Sequence, residues 1–435
     1  MKLNKHVKAR KEGESYYLHH AANGGLLKIS TALYEKMTAG QEEFLPDDFL
    51  AKLRGMEMLA GTENGGGDPV STGRIKRTGF LGLRSAKSPF HVFWELTTKC
   101  TLTCLYCFPD MKSKRTEGRK PDLDAASLGK VADRIIEAEL FKVTLTGGEA
   151  MLRPDFWDIV KKLEDNGVMV SVITNGVYMP DEFIEKIKKT SLLIAVSLDA
   201  PDEGCNRITR GPDAFAKTLG TIQRLAAAGV RTSSIITVTR HNFTLLEDTV
   251  KLLRDNGVFY ITLQDLKPFG NKEVYDNTRL TAAQEAELPA KLNYLEKKYS
   301  DIGFMFTELA IFGDPSKERP CSGKLMDCPA GDHFGYIDYL GNFFPCNMLR
   351  SFNMGNVIET GIPALWQNSD AIRELRRVKA LPLSTVEKCA SCSRKGSCHG
   401  GCRGDALFYD GKLDGVPSRC PERRTQAAAQ TAGAL

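Results

Sequence analysis

Short apolar segments alternate with helical segments between residues 90 and 310, and this alternation constrains the fold more than any other feature of the sequence. The six predicted strands are Val92–Leu96, Lys142–Thr146, Met169–Thr174, Leu192–Leu198, Thr232–Thr239 and Tyr260–Asp265. The apolar periodicity of the stretches between them predicts helices, as over Ala125–Glu139, Phe156–Asn166, Ala214–Ala228 and Leu245–Asn256. Repeated βα units with apolar strands indicate a parallel sheet covered by helices. We therefore predict an α/β fold, a partial (β/α)6 barrel with its chemistry at the carboxyl ends of the strands.

Two further regions flank this barrel, which we place at residues 89–310. Residues 1–60 predict a small α+β domain with helices over Thr31–Met37 and Pro46–Leu59, preceded by the strands His6–Ala9, Tyr16–His19 and Leu26–Ile29. Residues 61–88, glycine-rich around Gly65–Pro69, predict a linker. Residues 311–435 are rich in glycine and cysteine, with too little periodic sequence for an ordinary core. We expect metal to hold this C-terminal domain together.

Charge and hydropathy exclude several classes of partner. The 59 basic and 54 acidic residues give a formal charge of +5 and form no basic stripe, so we expect no nucleic acid. No run of about 18 apolar residues occurs, so we expect no membrane span. Met1–Arg10 is basic, but no apolar segment follows it, so we expect no signal peptide and a cytoplasmic protein.

Twelve cysteines are unusual for a cytoplasmic protein. A reducing compartment does not preserve structural disulfides, so clustered cysteines there more often bind metal or take part in chemistry. Their distribution is uneven, with a group of three, a single Cys205 that we interpret as an ordinary thiol, and a group of eight. The eight are Cys321, Cys328, Cys346, Cys389, Cys392, Cys398, Cys402 and Cys420.

The group of three, Cys100, Cys104 and Cys107, follows directly on the first predicted barrel strand. Three thiolates on one short loop can hold three irons of a cubane and leave the fourth iron without a protein ligand. A structural zinc site needs a fourth ligand nearby, and the nearest histidine, His91, lies at the other end of the strand. The spacing therefore favours a [4Fe–4S] cluster with one open coordination position.

This CxxxCxxC loop, with the aromatic Tyr106 before its third cysteine, resembles the cluster loop of the radical S-adenosylmethionine (SAM) superfamily. The resemblance implies that the open iron chelates the amino and carboxylate groups of SAM. One electron from the cluster then cleaves SAM to methionine and a 5′-deoxyadenosyl radical, which abstracts a hydrogen atom from the substrate. The cofactor supplies this chemistry, and the protein supplies geometry and a dry site.

The strand ends carry further residues of the family's pattern. Gly147-Gly148-Glu149 closes the second strand, and the resemblance implies that this motif contacts the SAM amino group. Two glycines allow the backbone to approach a ligand closely, and a carboxylate accepts from an ammonium.

Three more residues complete the expected SAM site. Asn175 ends the third strand and Ser197 the fourth. Ser197 and Arg210 resemble the family's contacts to the ribose and carboxylate of SAM, and the bidentate fork of an arginine suits a carboxylate. A turn hydroxyl and a surface arginine remain the structural alternatives.

The group of eight resembles the cysteine signature of the SPASM extension, found in radical SAM enzymes with two auxiliary clusters. The resemblance assigns Cys321, Cys328, Cys346 and Cys402 to the first auxiliary cluster, and Cys389, Cys392, Cys398 and Cys420 to the second. The chain would then hold three [4Fe–4S] clusters and need an electron donor such as flavodoxin or ferredoxin. A zinc ribbon over 389–402 is the alternative, but its irregular spacing argues against it.

The N-terminal domain resembles the winged-helix-like element that binds leader peptides in peptide-modifying radical SAM enzymes. Such elements bind a peptide as an added strand at a sheet edge, for which Tyr16–His19 and Leu26–Ile29 are our candidates. The implied substrate is a ribosomally made precursor peptide with a leader sequence. The implied product is a crosslink, with a thioether expected before a carbon–carbon bond.

Other functions stay open at this point. A sulfatase maturase uses an aspartate after the cysteine at position 346, where this chain has Asn347, and an amide cannot take a proton. A small-molecule dehydrogenase or mutase of the SPASM type would need no leader-binding domain, and an electron carrier would need no open iron. Catalytic acids or bases are not identified; the candidates at the barrel mouth are Asp199, Gln264, Asp265 and Tyr336.

Overall fold

The computed structural model describes residues 2–21, 25–60, 86–107, 120–268, 272–307, 330–393, 398 and 400–420. Most of the expected linker, together with Cys321 and Cys328, lies outside these residues. The strands are β1 Val7–Glu12, β2 Ser15–His20, β3 Leu26–Ser30, β4 His91–Glu95, β5 Lys142–Thr146, β6 Met169–Thr174, β7 Leu193–Ser197, β8 Thr232–Val238, β9 Val258–Asp265, β10 Gly303–Thr307, β11 Phe334–Ile337, β12 Asn342–Phe344 and β13 Gly355–Asn356.

The helices alternate with the strands in the central part of the chain and become more frequent towards its C-terminal part. They are α1 Thr31–Thr38, α2 Asp47–Gly55, α3 Ala125–Glu137, α4 Phe156–Asp165, α5 Asp181–Lys188, α6 Glu203–Arg210, α7 Phe215–Ala227, α8 Leu246–Asp255, α9 Lys272–Thr278, α10 Ala282–Lys298, α11 Val357–Thr360, α12 Ile362–Asn368, α13 Asp370–Ala380, α14 Glu387–Ala390 and α15 Arg403–Asp410.

The N-terminal unit is an antiparallel sheet of order β1-β2-β3 followed by α1 and α2. Ser30 caps α1 by accepting a hydrogen bond from the Leu33 amide at 3.2 Å. Leu18 and Leu27 pack against Leu53 of α2 in a core of their own. Because β2 is the central strand, the prediction that Tyr16–His19 offers a free edge is wrong; its backbone groups already pair on both sides.

The central sheet has ten strands in the order β10-β9-β8-β7-β6-β5-β4-β11-β12-β13. The predicted partial α/β barrel is confirmed: the strands from β4 to β9 are parallel neighbours in sequence order. The sheet is larger than predicted, because β10 adds a parallel strand at one side and β11 adds one beside β4. The strands β12 and β13 extend it further as antiparallel partners.

Alternation along each strand divides the side chains between the helices and the barrel interior. Val92 and Trp94 of β4 are fully buried in the core that the covering helices complete, for example with Leu128 of α3. Since successive side chains point to opposite faces, Phe93 and Glu95 face the interior. The interior at the carboxyl end of β4 therefore holds a carboxylate.

The N-terminal unit packs against the amino ends of the barrel strands, on the side away from the Cys100–Cys107 loop. Tyr17 joins Phe90 and Phe141 in an apolar cluster. Arg10 of β1 has a fully buried side chain, donates to the Pro89 carbonyl at 3.0 Å and lies 4.0 Å over the Phe90 ring. Its partner Glu12 also accepts from the Lys87 amide at 2.9 Å. These contacts use side chains on one face of the sheet, so the segment that leads into β4 packs against that face.

The C-terminal region contains more regular structure than its sequence predicts. Besides β11–β13, the helices α12 and α13 pack against the barrel, and Leu349, Leu375 and Val378 form a small apolar core with Ala330 and Leu413. The expectation that this region lacks an ordinary core is therefore wrong for the described residues. Within the described part of the chain, no helix is both long and apolar enough to cross a membrane.

Candidate functional site

The first cysteine loop is held in place by backbone and amide groups. Cys100, Cys104 and Cys107 are each partly exposed. The Leu102 amide and the Asn175 side-chain amide both donate to Cys100 Sγ at 3.4 Å. Hydrogen bonds of this kind orient a sulfur that is to act as a metal ligand.

The two glycines of the Gly147-Gly148-Glu149 motif are required by this loop. The Gly148 amide donates to the Thr97 carbonyl at 2.7 Å, and the Glu149 amide donates to the Lys99 carbonyl at 2.7 Å. A Cβ on Gly148 would overlap the Lys99 carbonyl. The glycines therefore allow a close approach to the backbone of the cysteine loop, and their contact to SAM stays a prediction.

The Glu149 carboxylate lies beneath the loop with no countercharge. It is 1% exposed, and it accepts from the Asn175 amide at 2.9 Å and from the Met151 amide at 3.4 Å. Burial raises its pKa to about 7, against the effect of these hydrogen bonds. Among the described residues no lysine or arginine pairs with it. A buried carboxylate without a cation fits the ammonium of SAM, so the residues present suit this cofactor.

Asn175 and Ser197 lie where the predictions place them, at strand ends. The Asn175 side chain bridges Cys100 Sγ and Thr101 Oγ1, the latter at 3.1 Å, and its amide reaches Glu149. It thereby links the cysteine loop to the glutamate. Ser197 ends β7, is buried and pairs in register with Ile235 of β8. Their contacts to SAM remain predictions.

Arg210 is paired with a carboxylate of the protein. Its Nε and Nη2 donate to the two oxygens of Asp199 at 2.8 and 3.2 Å. The Tyr106 hydroxyl donates to the same carboxylate, and the Leu105 amide donates to the Thr209 carbonyl at 2.7 Å. Burial opposes the charge on Arg210, but Asp199 raises its pKa above the ordinary value. Only Nη1 is left for the carboxylate of SAM among the described contacts.

Asp199 is therefore the centre of a buried network that the sequence interpretation did not identify. It is completely buried, and its Oδ1 also accepts from the Thr237 amide at 2.9 Å. The network joins the cysteine loop through Tyr106 to the end of β7 and to helix α6. A carboxylate directly after a strand end was the sequence signal, but the sequence did not show its partner.

The second cysteine group is partly described. Burial, followed by repulsion from Cys420, Cys398 and Cys392, raises the pKa of Cys389 to about 11. The fold thus brings near one another the four cysteines that the sequence assigned to the second auxiliary cluster. Of the other four, the thiol of Cys346 donates to Asn347 Oδ1 at 3.1 Å, and Cys402 precedes α15.

The described histidine, cysteine and acidic side chains include no group of three that converges on a single metal ion. A cubane offers a different iron to each thiolate, so its ligands need not converge on one point. Cys205 lies apart on α6, with Sγ 3.9 Å from the His241 carbonyl oxygen.

The remaining candidates at the barrel mouth are engaged with protein partners. Gln264 donates to Thr237 Oγ1 at 2.9 Å, and Asp265 pairs with Arg419 of the C-terminal region at 2.6 Å. Tyr336 of β11 donates to Glu95 at 2.6 Å. The sequence interpretation missed Glu95, although a single acidic residue in an otherwise apolar strand is a recognisable signal.

Comparison with known proteins supports the interpretation of this geometry. Residues 94–253 match the sequence model of the radical SAM superfamily, and residues 328–393 match the SPASM iron–sulfur cluster-binding domain. The mycofactocin maturase MftC of Mycobacterium ulcerans is 30% identical over 77% of this chain and 88% of its own length. The chain belongs to the radical SAM superfamily. This membership and the SPASM match imply that it binds iron–sulfur clusters and SAM.

Other radical SAM proteins are similar at lower identity. The AdoMet-dependent heme synthase of Methanosarcina barkeri is 26% identical over 74% of this chain and 94% of its own. The PqqA peptide cyclase of Gluconobacter oxydans is 24% identical over 76% of this chain and 90% of its own. The crystal structure of Streptococcus suis SuiB bound to the precursor peptide SuiA has a TM-score of 0.71 at 15% identity, covering 96% of this chain and 99% of that one. The SuiB fold therefore includes a counterpart of the N-terminal unit.

Proposed function

We propose that this radical SAM protein is a maturase that abstracts a hydrogen atom from a ribosomally synthesised precursor peptide and installs a crosslink. A thioether between a cysteine sulfur and a carbon atom is the first expectation, and a carbon–carbon bond is the second. We further propose the division into a leader-binding domain (1–60), a linker (61–88), the barrel (89–310) and an auxiliary-cluster domain (311–435).

The observation that carries the proposal is the open edge of the docked N-terminal sheet. The His20 amide bonds the Gly25 carbonyl, and the Thr31 amide bonds the Glu14 carbonyl. Because hydrogen-bonded pairs alternate along an antiparallel ladder, Leu26 and Lys28 direct their backbone groups away from β2. No strand among the described residues pairs with that side of β3. A peptide can therefore add there as a fourth strand.

The names of similar proteins agree with a peptide substrate. MftC is a maturase, the Gluconobacter oxydans relative is a peptide cyclase, and SuiB has been crystallised with a precursor peptide. The SuiB likeness concerns the fold alone, but that fold is shared across nearly the whole chain, including the unit with the open edge. A small-molecule enzyme would have no use for such a unit.

The residues that would hold the cofactors follow from the site. Cys100, Cys104 and Cys107 would bind the first cluster, and the eight C-terminal cysteines would bind two more. When bound, this cofactor supplies one-electron cleavage of SAM and abstraction of a hydrogen atom from a C–H bond. Glu149 would accept hydrogen bonds from the SAM ammonium, while Asn175 would hold Glu149 and Cys100 in register. A flavodoxin or ferredoxin would supply the electron.

Deletion of residues 1–60 tests this function. The reduced, reconstituted full-length protein is incubated with SAM and with candidate precursor peptides encoded by genes that neighbour its own. We expect 5′-deoxyadenosine and a peptide lighter by two hydrogen atoms. The C–H hydrogen would pass to the 5′-deoxyadenosyl radical, the S–H hydrogen would leave as a proton, and an auxiliary cluster would accept the electron that remains as the C–S bond closes. The truncated protein should still cleave SAM but should leave the peptide unchanged. Equal peptide turnover by the truncated protein would contradict leader binding at β3.

A second candidate is a SPASM-type small-molecule enzyme, and the similarity to the heme synthase favours it. The same truncation distinguishes the two, because a small substrate would not need the N-terminal unit. Full activity on a small molecule after removal of residues 1–60, with no activity on any peptide, would establish this alternative. The sulfatase-maturase interpretation lacks its aspartate at Asn347, whose amide oxygen accepts a hydrogen bond from the Cys346 thiol.

A further inference from the structure

A buried ion pair inside the barrel joins the first strand to the C-terminal region. Glu95 at the end of β4 is 1% exposed. Its Oε2 accepts from the Tyr336 hydroxyl at 2.6 Å and from Arg350 Nη2 at 3.2 Å. Arg350 also donates to the Tyr336 oxygen and lies 4.3 Å over its ring. The pair thereby joins the strand that leads into the first cysteine loop to the segment that follows Cys346.

This pair leaves one acceptor and one donor unused. Glu95 Oε1 and Arg350 Nε are buried, and neither has a hydrogen-bond partner within the described part of the chain. On a guanidinium, Nε and Nη2 share an edge that normally engages both oxygens of one carboxylate. Here only Nη2 and Oε2 meet, so the two unused atoms flank a single contact of 3.2 Å.

A purely structural tie between the barrel and the C-terminal region would be expected to use both contacts. Arg210 and Asp199 do so nearby, with two hydrogen bonds of 2.8 and 3.2 Å. An unused donor and acceptor are costly to bury, so their persistence indicates a ligand. The Arg350 side chain is 21% exposed while that of Glu95 is 1% exposed, so the network opens towards the barrel mouth at its arginine end.

The chemistry of the two atoms specifies the ligand. Glu95 and Arg350 cancel in charge, which disfavours a carboxylate or an ammonium. One acceptor beside one donor matches an uncharged group that offers an N–H and a C=O on the same side, such as the side-chain amide of asparagine or glutamine. We propose that Glu95 Oε1 and Arg350 Nε bind an amide group of the peptide substrate inside the barrel. This inference rests on the proposed peptide-modifying function, and it names the subsite that would position the peptide for hydrogen abstraction.

The substitution Glu95→Gln tests the acceptor. Tyr336 and Arg350 both donate to the Oε2 position, so the amide oxygen of the glutamine must take that place. Its NH2 group then takes the position of Oε1 and faces the N–H of the ligand, and two donors form no hydrogen bond with each other. The loss of one hydrogen bond between ligand and protein predicts a rise of about tenfold in the KM for the peptide.

The substitution Arg350→Lys tests the donor independently. An ammonium can still pair with Glu95 but has no second donor on the same planar edge, so we again expect a rise of about tenfold in KM. The matched control is Arg377→Lys, in the same region. Arg377 donates to Glu374 at 2.7 Å, and its side chain is 62% exposed. Its KM should stay within about twofold of that of the unsubstituted enzyme.

The assay measures peptide-dependent 5′-deoxyadenosine formation by reconstituted full-length enzyme with a candidate precursor peptide from a neighbouring gene. Should Glu95→Gln fail to load iron, Arg350→Lys decides the question alone. If KM changes by less than about twofold in every variant that loads iron, the subsite is wrong while the proposed function stands. If the unsubstituted enzyme shows no turnover of any peptide, the proposed function is overturned, and this inference falls with it.

Discussion

Replacing Asp199 with asparagine removes the negative charge at the centre of the buried network beside the cysteine loop. The carboxylate is fully buried and accepts from Arg210 through two donors, at 2.8 and 3.2 Å, and from the Thr237 amide at 2.9 Å. The Tyr106 hydroxyl donates to it as well. Asp199→Asn places an NH2 group where one oxygen accepted, and it leaves the Arg210 guanidinium buried without a countercharge.

Removing one partner of a buried ion pair costs about 3–5 kcal/mol, because the remaining charge is uncompensated. For a barrel of this size, each kcal/mol corresponds to about 2–4 °C in Tm, so we expect Tm to fall by roughly 6–20 °C. The double variant Asp199→Asn/Arg210→Met removes the stranded charge and should recover a substantial part of that loss. The exposed pair of Arg224 and Asp181 gives the control, since Asp181→Asn should cost about 0–1 kcal/mol.

Anaerobic thermal scans at one fixed rate measure these effects on cluster-loaded protein, with iron content determined in parallel. Unfolding of a protein that holds clusters is not simply two-state, so Tm differences at one scan rate are the appropriate comparison. A Tm for Asp199→Asn within about 2 °C of the unsubstituted protein would refute the argument. It would show that Arg210 is not held by Asp199 and is free for another partner.

Three further predictions concern the loop, the buried glutamate and the docked sheet. Gly148→Ala should lower the iron content, because the new Cβ overlaps the Lys99 carbonyl. The control Gly220→Ala should leave the iron content unchanged, because its Cβ meets open space. Iron and sulfide analysis of the two variants measures this difference. Burial raises the pKa of Glu149 from 4.5 to about 7, so between these pH values the folded state keeps a proton that the unfolded state loses. Without SAM, the Tm of the unsubstituted protein relative to that of Glu149→Gln should therefore fall as the pH rises through this range and should level off above it. Equal pH dependence of the two Tm values would contradict this. Arg10→Met removes the buried contacts of β1 with the barrel, so backbone amide hydrogen exchange in β1–β3 should become faster. Exchange in Arg10→Met as slow as in the control variant Lys11→Met, at an exposed position, would contradict these contacts.

Local sequence patterns predicted the parts of the fold that depend on local chemistry. The six strands from β4 to β9 each carry their own apolar alternation or run, and the CxxxCxxC loop follows the first of them within a few residues. A short strand such as β11 gives little local signal. It enters the barrel only by pairing with β4, more than two hundred residues earlier in the chain, and that pairing depends on tertiary contacts.

The site shows the same division between local and long-range information. The sequence placed Gly148 and Glu149 at a strand end, but it could not show that their amides bond to the backbone of the cysteine loop. It also predicted that Arg210 contacts the carboxylate of SAM, but it could not show that Arg210 pairs with Asp199. Residue type predicts the chemistry of a contact, whereas its partner depends on how strands and helices meet in space.

The proposed leader-binding edge illustrates how topology changes a functional expectation. Sequence alone offered Tyr16–His19 and Leu26–Ile29 equally, and only the strand order separates them. The central strand is saturated by its neighbours, so any added peptide must use an outer strand. Of the two sequence candidates, only Leu26–Ile29 lies on an outer strand, β3, which makes β3 the candidate.

We propose that three thiolates leave one iron open for SAM and that this iron supports SAM cleavage. The amount of 5′-deoxyadenosine formed by the reduced, reconstituted protein with SAM can be compared with that formed by Cys104→Ala prepared in the same way. We expect formation by the unsubstituted protein and none above background by the variant. Equal amounts from both proteins, or none from either, would contradict it.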